Sequence, residues 1–297
     1  MRFGGRRESD NVESQSGGGG GFGLGGGGGG GAGLLIGLVF SRFGIVGVLV
    51  VVGLMWFLGG NPLGLVDPQQ GGAPSANVEA RGSGACATDP ARRFSCQVLA
   101  STEDRWTSLF RAQGTNYTPP VLVFYPGRGQ SGCGAAQSAM GPFYCPSDRR
   151  IYLDTSFFNE LAQQFGAPGD FAQAYVVAHE VGHHVQTLTG IEERVRRAQS
   201  GASEAQSNAI QVRMELQADC YAGVWASGEQ SAMEAGDFEE GMRAAASIGD
   251  DTLQRASQGV VVPENFTHGT SAQRQEALTR GYRGGTPQAC ASYTEGL

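Results

Sequence analysis

The chain has 297 residues and a net charge of −7, and its 49 glycines are placed unevenly, 14 of them between Gly17 and Gly33. What is left to fold has room for one large domain or two small ones. All 21 basic residues are arginines, which excludes Schiff-base lysine chemistry and lysine-dependent phosphoryl transfer. Scattered arginines on an acidic chain also exclude a broad nucleic-acid footprint, so no nucleic-acid partner is expected.

In chain order, residues 1–33 predict a disordered, cytoplasmic, glycine-rich tail, because a polar start and a glycine tract offer little apolar surface to offset the entropy of ordering. Residues 34–59 are apolar apart from Ser41, Arg42 and several glycines. Read as one transmembrane helix, they span a bilayer with Arg42 snorkelling to the near interface and Trp56 at the far one. Arg2, Arg6 and Arg7 precede this segment, Arg42 lies towards its N-terminal end, and the next basic residue is Arg81. The positive-inside bias therefore predicts a single-pass protein of the cell membrane, N-terminus in the cytoplasm and the rest outside, where disulfides persist. Residues 60–97, rich in Gly, Pro, Ala and Gln, predict a linker. Residues 98–297 form the expected soluble domain.

Within it, a helix is expected from Ser101, with acidic groups in its first turn and Trp106, Leu109 and Phe110 on one face. Val121–Tyr125, Met140–Cys145 and Arg150–Asp154 predict short strands, and Gly127–Ser138 a loop. Thr155–Phe165 has helical spacing. Asp170 is expected to cap a helix running to Thr189 and ending at Gly190. Helical pattern continues from Ile191 nearly to Ala256, with breaks near Gly228 and Gly249, and a last helix starts at Ser271. A small antiparallel sheet followed by helices predicts an α+β domain.

The chemistry is concentrated in His179–His183, an HExxH pentapeptide in the middle of that capped helix. Residues i and i+4 share a helix face, so His179 and His183 can bind one metal ion while Glu180, about a quarter turn away, meets a water as general base. A third histidine of the HExxHxxGxxH type is excluded by Gln186 and Thr189. Glu215 and Asp219, again i and i+4, offer the alternative: Glu215 as third ligand and Asp219 as acceptor for the second N–H of a ligand histidine. One zinc ion held by His179, His183 and Glu215 would bring the pKa of water from about 15.7 towards about 7, and Glu180 would carry the proton to the leaving amine. His268, away from the ligand helix, is the candidate to stabilise the oxyanion. His184 reads as structural, and Gly182 as a point of close approach. Among the six cysteines, Cys86 with Cys96, Cys133 with Cys145 and Cys220 with Cys290 are the preferred pairs, from several connectivities that spacing leaves open.

The HEVGHHVQ, ELQADC and FTHGTSAQR runs together resemble the putative neutral zinc metallopeptidase family of bacteria, membrane-anchored relatives of the gluzincins. The similarity extends to RRESDNVE at the start, GPFYCP at Gly141–Pro146 and AGVWA at Ala222–Ala226. It implies a zincin-like fold and a zinc-dependent peptidase acting on peptide or protein substrates. By analogy with zincins, Met140–Tyr144 would be an edge strand that pairs with extended substrate. The alternative is a catalytically silent, zinc-stabilised scaffold of the cell envelope. The oligomeric state is not encoded in any motif.

Overall fold

The computed structural model of the chain describes residues 1–16, 78–87 and 89–297. The glycine tract, the expected membrane segment 34–59 and the first part of the expected linker lie outside these residues. Among the described residues the strands are β1 (Val12–Gln15), β2 (Val78–Arg81), β3 (Val121–Phe124), β4 (Arg128–Ser131), β5 (Gly134–Gln137), β6 (Phe143–Cys145) and β7 (Arg150–Leu153). The α-helices are α1 (Ser83–Cys86), α2 (Pro90–Ala112), α3 (Ser156–Gln163), α4 (Asp170–Leu188), α5 (Ile191–Gln199), α6 (Glu204–Ser227), α7 (Asp237–Ser247), α8 (Asp250–Gln258) and α9 (Ser271–Gly284). The domain is of mixed α+β type, with a small sheet and many helices.

The sheet is mixed rather than antiparallel as expected. Its order is β2-β1-β3-β7-β6, with β1–β3 and β3–β7 parallel and the outer pairs antiparallel. Short connections favour antiparallel neighbours, but β1 comes from the distant N-terminus and β3 reaches β7 only after intervening strands, so neither pair is bound by that rule. The expected loop at 127–138 is an antiparallel β4–β5 hairpin.

The N-terminal segment is not a disordered tail over residues 1–16. All four residues of β1 are buried, although three are polar. Burying such groups is tolerable only with partners, and these exist: Glu13 accepts from Arg150 at 2.7 Å, and Gln15 exchanges hydrogen bonds with Gln130. Upstream, Ser9 and Asn11 donate to buried Glu103. The Met1 ammonium lies 2.5 Å from Asp170 at the start of α4 and 3.2 Å from Asp237. Burial works against its charge, but the hydrogen bonds and fields of these two carboxylates raise its pKa. Asp170 is therefore the first residue of α4 and an ion-pair partner, not the cap; Gly169 holds the cap position.

This arrangement overturns the expected single-pass topology. Gln15 of β1 pairs with Val78 of β2, and β1 pairs with β3 inside the domain. One membrane crossing between residues 16 and 77 would put these hydrogen-bonded neighbours on opposite sides of the bilayer. No helix among the described residues is long and apolar enough to cross a membrane. An N-terminus in the cytoplasm with the domain outside is thus excluded. The linker expected over 60–97 is likewise shortened from its C-terminal side, since β2, α1 and the start of α2 occupy it. The long helix begins at Pro90, capped by the Asp89 side chain on Arg92 N–H, not at Ser101.

Helix α4 lies at the centre of the helical half, against α2, α6 and α7. Trp106, Phe171, Tyr175 and Trp225 are fully buried there. Disulfides join Cys86 to Cys96, Cys133 to Cys145 and Cys220 to Cys290. Such bonds are the mark of an oxidising compartment. The last ties α6 to the C-terminal 3-10 turn Pro287–Tyr293.

Candidate metal centre

Two helices build the site, and a glycine sets their separation. Gly182 of α4 faces Ala218 of α6 so closely that a Cβ would lie 2.9 Å from the Ala218 carbonyl oxygen. At that crossing His179 and His183 of α4 meet Glu215 of α6. The distances are 3.2 Å between the two Nε2 atoms, 3.2 Å from His179 Nε2 to Glu215 Oε2 and 3.3 Å from His183 Nε2 to the same oxygen. A tetrahedral ion with ligand bonds of about 2.0 Å has edges of about 3.3 Å. The triangle therefore fits one zinc-sized ion with a fourth position free.

The partners of these groups leave the three converging atoms available. His179 Nδ1 donates to Asp219 Oδ1 at 2.8 Å, and His183 Nδ1 to Gln186 Oε1 at 2.9 Å, so both Nε2 lone pairs point inward. Gln211 donates to Glu215 Oε1, which leaves Oε2 for the centre. Burial works against charge on both imidazoles, but the carboxylates prevail. Asp219 above all holds His179 up at about 10, and Glu215 raises His183. Glu215 sits well below the ordinary carboxylate range despite its burial, because of the two histidines. In the metal-free chain this negative field favours protons on the imidazoles, and a divalent cation bound between the three atoms would take the place of those protons.

Asp219 is itself held. Burial would raise its pKa, but Arg274 and His179 bring it to about 2. Arg274 Nε and Nη2 reach its two oxygens at 2.9 and 3.0 Å, and Tyr175 donates to Oδ1 at 2.5 Å. Residue-by-residue reasoning gave Arg274, Tyr175 and Gln186 no role. Gln186 was detectable three residues after His183 on the same helix, whereas Arg274 and Tyr175 meet Asp219 only through tertiary packing.

Glu180 is buried on the same turn and outside the triangle, and it lines the cavities on both sides of the site. His268 lines both as well. Its loop wraps the Asp250 carboxylate, whose Oδ2 accepts the backbone N–H groups of Thr267, His268 and Gly269. Phe143 and Tyr144 of the edge strand β6 form another wall. His184 points away from the triangle: it contacts the Tyr144 hydroxyl and the Thr118 carbonyl, and burial lowers its pKa to about 4.

An α+β domain in which an HExxH helix is crossed by a helix carrying Glu215 and Asp219 brings two imidazoles and a carboxylate to one point. The chain belongs to the putative neutral zinc metallopeptidase family, whose model matches residues 1–293. It is 45% identical to the uncharacterized protein YpfJ of Escherichia coli over the full length of both chains. It is 41% identical to the uncharacterized proteins Mb2605 of Mycobacterium bovis and Rv2575 of Mycobacterium tuberculosis, over 69% of this chain and 73% of theirs. No solved structure matches it.

Proposed function

We propose that the protein is a zinc-dependent peptidase of zincin-like fold, with one zinc per chain held by His179, His183 and Glu215, and with peptides or proteins as substrates. The observation that carries this reading is the position of Glu180: buried, outside the ligand triangle, and facing both flanking cavities. A scaffold that needed the ion only for stability would have no use for it. When bound, zinc polarises a carbonyl and makes water a nucleophile near neutral pH. Glu180 takes the proton of the attacking water and returns it to the leaving amine. His268 faces the same space and donates to the developing oxyanion. Asp219 and Gln186 keep each ligand histidine in the tautomer with Nε2 free. The outer edge of β6, which pairs with no strand among the described residues, offers its backbone groups to an extended substrate.

The test is zinc content and peptide hydrolysis of the full chain beside Glu180→Gln, His183→Ala and Glu215→Ala. Expected are about one zinc in the parent and in Glu180→Gln, much less in the other two, and a loss of about 10²-fold or more in hydrolysis for Glu180→Gln. Full activity in Glu180→Gln would remove the general-base role. Zinc binding without hydrolysis of any peptide would favour the scaffold.

A further inference from the structure

The cavity on one side of the triangle has a character the reaction itself does not require. Its volume is about 300 Å³, and its walls come from separate parts of the chain: Phe157 of α3, Val176 of α4, Ile248 and Leu253 around the α7–α8 junction, and Pro142 with Met140 before β6. The same cavity includes His179 and Glu180, so the apolar wall starts at the reacting groups. Packing voids in a small domain are enclosed and seldom larger than a water molecule. This one is open, far larger, and in the range of ligand pockets. Met140 at its rim is 61% exposed, one of two large apolar side chains so exposed among the described residues. A bound side chain would cover it.

The charges around the site are one-sided. Glu160 stands in the apolar cavity with Glu180, and Glu192 lies in the cavity on the other side with Glu215. The basic groups in the first cavity are already engaged: Arg274 by both oxygens of Asp219, His179 by Asp219 and Glu215, and His268 by Asp250 at 3.4 Å. An acidic side chain in this first cavity would meet the Glu160 carboxylate in a partly dehydrated space.

Resting on the peptidase reading, we infer that this cavity is a specificity pocket for one bulky aliphatic or aromatic side chain next to the scissile bond. Glu160 excludes an acidic residue from the position that this pocket receives. The substrate class is thus peptides cut beside a large apolar residue.

The test uses the zinc-loaded full chain and two readouts. Binding of peptide hydroxamates carrying Phe, Leu, Ala or Asp next to the chelating group is measured by calorimetry, and cleavage sites in a mixed peptide library by mass spectrometry. The Phe and Leu compounds should bind at least about tenfold more tightly than the Ala compound, with Asp weakest. Leu253→Trp, at a half-buried position that fills the pocket, should abolish the preference, with the Phe and Leu compounds binding no more tightly than the Ala compound. Glu160→Gln should strengthen the Asp compound selectively. Equal binding of the Phe and Ala compounds by the parent, a preference that survives Leu253→Trp, or cleavage at bonds without a large apolar neighbour would overturn the assignment. Selective hydroxamate binding with no cleavage of any peptide would overturn the peptidase reading and leave the pocket standing.

Discussion

Replacing Gly182 with alanine would put a methyl group 2.9 Å from the Ala218 carbonyl oxygen and 3.0 Å from its Cα, where ordinary contact begins at 3.4 Å. Both atoms are backbone of a helix, so no side chain can swing aside, and α4 and α6 must separate by about 0.5 Å at the crossing. Two terms of opposite sign result. Alanine for glycine inside a helix favours folding by about 1 kcal/mol, and overpacking costs about 1–3 kcal/mol. The metal-free protein should therefore lose only about 0–2 kcal/mol. The larger effect is on the site: Glu215 rides on α6 one turn before Ala218, and metal sites tolerate about 0.2 Å in ligand distance. A loss of about ten- to a hundredfold in zinc affinity is expected, comparable to removing a group that orients a ligand. Competition against a chromogenic chelator gives the affinity, and thermal unfolding with and without zinc gives the stability. A Gly182→Ala protein with parental zinc affinity would refute the argument that this close approach sets the triangle.

Other outcomes follow from the same geometry. Arg274→Ala leaves the buried Asp219 carboxylate with only Tyr175 and His179 as partners and should cost about 3–5 kcal/mol, read as a lowered Tm in denaturant-matched scans; a change under about 1 kcal/mol would contradict the pairing. Asp250→Asn gives three N–H donors one weaker acceptor, and peptide hydrolysis should fall with zinc content unchanged, because His268 loses its position; unchanged hydrolysis would separate that loop from catalysis. Hydrogen bonding from His268 and its loop outweighs burial and lowers the Asp250 pKa below the ordinary 3.8. Its stabilisation is therefore complete above that value and lost as pH falls through the lower folded value, so the parent should lose more stability than Asp250→Asn in acid titrations below about pH 4. Opening the Cys220–Cys290 bridge by double serine substitution frees a loop of 70 residues and should cost about 4 kcal/mol, measured by urea unfolding.

The convergence of His179, His183 and Glu215 starts from helical spacing, which is a local property legible in the sequence. His179 and His183, and likewise Glu215 and Asp219, share a face once each segment is helical, and the HExxH spacing leaves Glu180 outside the triangle. The preferred cysteine pairs agree with the three bonds observed. Tertiary structure alone decided the rest. The polar stretch VESQ carries no strand signal, since its burial depends on partners such as Arg150 and Gln130 that are more than a hundred residues away. With β1 in the sheet, the apolar segment cannot be a single membrane crossing, a conclusion that hydropathy, blind to where the ends return, could not reach. Arg274 and Tyr175 likewise gained a function only when folding brought them to Asp219. Spacing along one helix is set by the backbone's own geometry, whereas which buried charge meets which is set by packing between helices, and that is written in no single segment.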